Sequence, residues 1–186
     1  MKRRVFLAIN LPKEIDKKIS TYCLKLAKRL PKKGIRFVEE GSRHITLHFS
    51  GSQTEEKIKK VAILMEGVAK QYTGFEIATK KITAFPNEKF PRIIVLSAKS
   101  RGEEIKKIRA NLGDELNKIG IETDARSWEA HISLARIKFG KVDFARIQKE
   151  VGENVSWVVD SFDLVESELT TEGPIYKIIK KFLLSF

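Results

Sequence analysis

Apolar positions along the chain switch between a period of two and a period near 3.6. Residues 4–9 form a short apolar strand ended by Asn10-Leu11-Pro12. Ile15, Ile19, Tyr22, Cys23, Leu26 and Leu30 then recur at steps of three and four, which is one face of a helix. Pro31 and Gly34 stop that helix. Strands are predicted at 35–38 and 44–49. Ser52 and Glu55 read as a capping box ahead of a helical stripe of Ile58, Val61, Ala62, Met65 and Val68, and residues 75–85 return to strand character.

The same order then recurs. A strand at 93–98 leads to a second capping box, Ser100 and Glu103, and to a stripe of Ile105, Ile108, Leu112, Leu116 and Ile119 ended by Gly120. Strands follow at 121–124 and 131–139, then a short helix around Phe144, Ile147 and Val151, and strands at 156–168 and 175–186. Val5 to Ile93 is 88 residues, Gly34 to Gly120 is 86 and His44 to His131 is 87. So constant an offset marks an internal duplication into two halves, roughly 1–88 and 89–186. Each half reads β-α-β-β-α-β. The expected fold is therefore α+β: one bilobal domain over 1–186, mostly antiparallel sheets around a central cleft, with the helices outside.

Composition narrows the partners. Lys and Arg outnumber Asp and Glu by 36 to 24, a formal charge of +12, and such an excess favours a polyanionic partner such as a nucleic acid. Cys23 is the only cysteine, which excludes an intrachain disulfide and a cysteine-rich zinc site. The apolar run after Met1-Lys2-Arg3-Arg4 stops at Asn10, too short for a secretory signal, and no stretch approaches a membrane span. A cytoplasmic protein without membrane association is expected; the sequence does not speak to protein partners.

The duplicated tetrapeptides carry the chemistry: His44-Ile45-Thr46-Leu47 and His131-Ile132-Ser133-Leu134. Alternation along a strand puts His44 with Thr46, and His131 with Ser133, on one face, and Ile45, Leu47 and Phe49, or Ile132 and Leu134, on the other. Imidazole has its unperturbed pKa of about 6.5 near working pH, so two of them can divide the acid and base roles of phosphodiester hydrolysis. A hydroxyl two residues on can donate to a phosphate oxygen. One such tetrapeptide is a weak signal; two at matched places, in a chain with three histidines, are a strong one.

These motifs resemble those of the two-histidine phosphoesterase superfamily, in particular its RNA 2′,3′-cyclic phosphodiesterase branch, also called 2′-5′ RNA ligases. Residues 4–9, Phe85-Pro86, Pro91-Arg92, Leu134-Ala135-Arg136 and the closing Leu169, Gly173, Tyr176 and Phe182 extend the resemblance along the whole chain. It implies an RNA 2′,3′-cyclic 3′-phosphodiesterase that opens cyclic phosphates to 2′-phosphates without a metal or other cofactor. His44 would be proton donor and His131 proton acceptor. RNA with cyclic-phosphate or 2′-5′ termini would be the partner, and 2′-5′ ligation the reverse reaction.

Other residues carry weaker signals. Arg136 stands where the family often has an arginine that binds phosphate, but strict alternation puts it on the face opposite His131, so that role requires a bulge or a strand end. His48 shares the parity of His44 and is expected at the periphery. Phe85, Phe90, Trp128 and Trp157 could each stack on a base, with core packing the expected role. Two other classes remain: an RNA- or nucleotide-binding module without turnover, and a zinc hydrolase using His44, His48 and His131.

Overall fold

The computed structural model describes residues 2–124, 126–140, 142–148, 154–171 and 173–185. In chain order the elements are β1 (Lys2–Asn10), α1 (Lys13–Ala27), β2 (Ile35–Phe37), β3 (His44–Thr54), α2 (Glu55–Ala69), β4 (Phe75–Phe85) and β5 (Ile93–Ser100). These are followed by α3 (Glu104–Lys118), β6 (His131–Ile137), α4 (Phe144–Gln148), β7 (Ser156–Val159), β8 (Ser161–Thr170) and β9 (Gly173–Leu183). The class is α+β, as expected. Val151 and Phe186, assigned above to the short helix and the last strand, lie outside the described residues.

The helical stripes are the buried faces. Ile15, Ile19, Cys23 and Leu26 of α1, Ile58, Val61, Met65 and Val68 of α2, and Ile105, Ile108, Leu112 and Leu116 of α3 all enter one core. The helix starts differ from the expected capping boxes. Thr54 caps α2, its hydroxyl accepting from the Lys57 N–H at 3.3 Å, while Ser52 still belongs to β3. At α3 the Ser100 hydroxyl reaches the Ile105 N–H at 3.2 Å, and Glu103 turns the chain with φ of 61°.

Every pairing between named strands is antiparallel, in the order β7-β4-β5-β6-β3-β1-β8-β9, with β2 added to β6. This order interleaves the two halves of the chain. β4 crosses to pair with β5 and β2 with β6, while β8 crosses back to pair with β1 and brings β9 with it, so each lobe borrows two strands from the other half of the sequence. The strand expected over 156–168 divides at Asp160 for the same reason: β7 extends β4 in one lobe and β8 extends β1 in the other. β1 is consequently central and covered on both faces, which accounts for its unbroken run of buried Val5 to Ile9.

The duplication departs from symmetry at β2. β2 pairs with β6, but its counterpart at 121–124 forms no strand. Arg109 of α3 lies in the gap instead. Its Nε donates to the Leu47 carbonyl of β3 at 3.1 Å and its Nη2 to the Asp124 carbonyl at 3.1 Å. One guanidinium thus takes the backbone acceptors that strand pairing would have satisfied.

Candidate active site

The two lobes meet where β3 and β6 form a single antiparallel pair, Ile45 with Ile132, both fully buried on the helix side. In this register His44 stands across from Ser133 and Thr46 across from His131, all four on the other face of the sheet. The duplicated motifs are thereby brought side by side, each histidine next to the hydroxyl of the opposite copy.

Both rings are oriented in the same way. His44 Nδ1 is 3.0 Å from the Ser42 carbonyl and His131 Nδ1 is 2.7 Å from the Glu129 carbonyl. A carbonyl only accepts, so Nδ1 carries the proton in each ring, and Nε2 is left to give or take one. The carbonyl lies two residues before the histidine in both copies, so the orientation was duplicated along with the motif.

The sheet folds over toward these rings. β9 lies three strand spacings from β3, about 14 Å in a flat sheet, yet the Tyr176 ring is 5.1 Å from that of His44 and meets it edge-on. Phe6 contacts His44 at 4.9 Å, and in the other lobe Phe85 of β4 meets His131 at 4.9 Å. Enclosure on this scale removes water from around His44. That desolvation, reinforced by the charges of His131 and Arg136 and opposed by the bond to Ser42, lowers its pKa to about 4.

Two bulges decide what else shares the face. In β3 the partners step from Ala8–Thr46 to Leu7–His48, leaving Leu47 as the extra residue; in β6 they step from Val95–Ser133 to Ile94–Ala135, leaving Leu134. Leu47 and Leu134 are again 87 residues apart. Each bulge turns two successive side chains toward the helices and reverses the parity beyond. Phe49, expected on the apolar side, is therefore 64% exposed on the histidine face, where its ring lies 5.9 Å from Phe6. Arg136 returns to the same face: burial raises the pKa of Tyr176 and the Arg136 charge opposes that rise, while at His44 the same charge adds to the lowering by burial. The bulge that a phosphate-binding role for Arg136 would require is present. His48 turns away: it is buried against Gly113 of α3, and its Nε2 donates to the Arg109 carbonyl at 2.6 Å. Since His48 lies on the opposite side of the sheet, the three histidines do not converge as a zinc site requires.

The aromatic candidates divide. Trp157 is buried in the core and Trp128 packs partly against it, beneath the Arg109 guanidinium at 4.9 Å. Phe90 is 66% exposed and Phe85 lies at the site, so core packing is the wrong expectation for these two. Sequence reading also passed over a buried support for His44. Arg43 Nη1 donates to Asp16 Oδ1 at 2.5 Å and to Ser20 Oγ at 2.9 Å, and the other Asp16 oxygen accepts from the Gly41 N–H at 2.6 Å. This pins the turn holding the Ser42 carbonyl onto α1. An arginine directly before the motif, in a segment predicted as loop, was the available signal.

The family model for LigT-like phosphoesterases matches residues 9–95. The RNA 2′,3′-cyclic phosphodiesterase of Methanocaldococcus jannaschii is 30% identical over 185 residues, covering 96% of this chain and 99% of the relative. That of Methanothermobacter thermautotrophicus is 30% identical over 191 residues, covering 99% and 100%. Among solved structures, TT0787 of Thermus thermophilus superposes with a TM-score of 0.82 at 27% identity, over 97% of each chain. E. coli LigT bound to 3′-AMP superposes at 0.83 with 24% identity over 100% of each chain, a likeness of fold. With two relatives matched end to end at this identity, the chain belongs to the LigT-like phosphoesterase family.

Proposed function

We propose that this protein hydrolyses RNA 2′,3′-cyclic phosphate ends to 2′-phosphates, with His44 as proton donor and His131 as proton acceptor. The carrying observation is the mirrored orientation of the two rings, each with Nδ1–H on a backbone carbonyl and Nε2 free among the described residues, beside one hydroxyl from each copy. In this reading His131 Nε2 removes a proton from water as its oxygen attacks phosphorus. The bond from phosphorus to the 3′ oxygen breaks, and His44 Nε2–H protonates the departing alkoxide. Thr46, Ser133 and Arg136 hold the non-bridging oxygens, Arg136 through a fork matched to phosphate. A 5′-hydroxyl in place of water would give a 2′-5′ linkage by the same ring opening, and ligation is then the reverse of cleaving such a linkage to a cyclic phosphate. The names of the curated relatives support this substrate class.

The proton relay needs no metal-bound hydroxide. An RNA ending in a 2′,3′-cyclic phosphate, incubated with the protein in EDTA, should be converted to the 2′-phosphate isomer alone. A 3′-phosphate product, or turnover that requires added zinc, would sink this reading. Among the described residues no helix is long and apolar enough to cross a membrane.

A further inference from the structure

Arg36 and Arg136 are direct cross-strand partners in the β2–β6 ladder. Partners in an antiparallel pair project to the same side, so Arg36 shares the histidine face with Arg136. Ile35 and Phe37, its neighbours along β2, pack against the core. Like charges placed directly opposite each other destabilise a sheet. Neither guanidinium has a carboxylate within ion-pair distance among the described residues, although Arg43 and Arg126 each have one and Arg3 has two.

Arg36 is exposed and reaches toward the other lobe. Its guanidinium lies against Gly173, where an added Cβ would meet Nη2 at 2.7 Å and Cζ at 3.0 Å. Gly173 starts β9 and, with φ of +125°, closes the β8–β9 turn, so a strand of one lobe here touches the hairpin tip of the other. Tyr176, three residues along β9, contacts His44 and feels the charges of Arg136 and Arg4. The charge of Arg36, without a carboxylate partner among the described residues, therefore stands at the edge of the site, directly across the ladder from Arg136.

We propose that Arg36 forms a second anion subsite that binds the internucleotide phosphate preceding the cyclic end, so that the preferred substrate is an oligoribonucleotide end and not a cyclic mononucleotide. This rests on the hydrolytic reading above and adds the substrate class to it. The bound phosphate relieves the repulsion between the two arginines, and the planar fork of Arg36 suits the bidentate geometry of a phosphate.

The test uses three substrates: a dinucleotide ending in a 2′,3′-cyclic phosphate, the same dinucleotide with an uncharged methylphosphonate linkage, and a nucleoside 2′,3′-cyclic phosphate. Wild-type protein should favour the charged dinucleotide over the methylphosphonate by about tenfold in kcat/KM, the low end for a hydrogen bond to a charged group. Arg36→Gln should abolish that preference and reduce the salt dependence of the charged substrate by a log–log slope of about 0.7, one phosphate contact on a single strand. Arg36→Lys should keep part of both. Turnover of the nucleoside cyclic phosphate by each variant reports whether the site is still folded. The same charged-to-neutral ratio in wild type and Arg36→Gln would overturn the subsite and leave the hydrolytic reading intact. Failure of wild type on all three substrates would overturn the hydrolytic reading and the subsite with it.

Discussion

Titrating His44 with the site empty and then filled tests how its environment divides the acid and base roles. In the free protein enclosure lowers its pKa to about 4, against an ordinary value of 6.5. That displacement corresponds to about 3 kcal/mol in favour of the neutral ring, so at pH 7 roughly one molecule in a thousand carries the proton. A proton donor cannot work from that state. The proton must arrive with the substrate, whose phosphate anion supplies the opposite charge that the empty site lacks. Carbon-13 NMR at the His44 Cε1 should find a midpoint near 4 in the free protein, moving up by about two or more with inorganic phosphate bound. Arg136→Gln should raise the free midpoint by a smaller step, because it removes one repelling charge and leaves the desolvation. The same displacement bears on stability. With the folded pKa below the unfolded one, the protein loses stability as pH falls from about 6.5 to about 4, because the unfolded chain takes up the proton first. His44→Gln should flatten that part of the curve. A free midpoint at or above the ordinary 6.5 would refute the burial argument. A midpoint that stays near 4 with phosphate bound would refute His44 as donor and transfer that role to His131.

His44→Ala and His131→Ala should each lower turnover of a cyclic-phosphate RNA by at least ~10²-fold, and the double variant should be far from additive because both act in one step; near wild-type rates in the double variant would end the paired-histidine mechanism. Asp16→Ala leaves Arg43 buried without its carboxylate and should destabilise the fold by about 3–5 kcal/mol in urea unfolding, whereas an unchanged midpoint would mean that water reaches Arg43. Gly113→Ala puts a methyl 3.1 Å from the His48 ring and should cost about 1–3 kcal/mol through overpacking, with loss of the His48–Arg109 bond visible as a changed His48 resonance.

The helices α1 to α4 and most strands were legible in the sequence because periodicity is a local property. Ile58, Val61, Met65 and Val68 mark a buried helical face whichever sheet they meet. The paired site was legible because a duplication preserves spacing: the 87 residues between His44 and His131 recur in Ser42 with Glu129 and in Leu47 with Leu134. Alternation failed at Phe49, Arg136 and His48, since one unpaired residue, Leu47 in β3 or Leu134 in β6, reverses the side chains that follow it, and that residue is chosen by the partner strand. The strand at 121–124 was lost because Arg109, remote in sequence, takes the backbone acceptor on β3. The exchange of β4 and β8 between lobes, and the fold of β9 that carries Tyr176 to His44 and the Gly173 turn to Arg36, arise from pairings between distant segments. Such pairings depend on which buried faces and unpaired backbone groups remain once the local elements have formed, and so they were decided only when the whole chain packed.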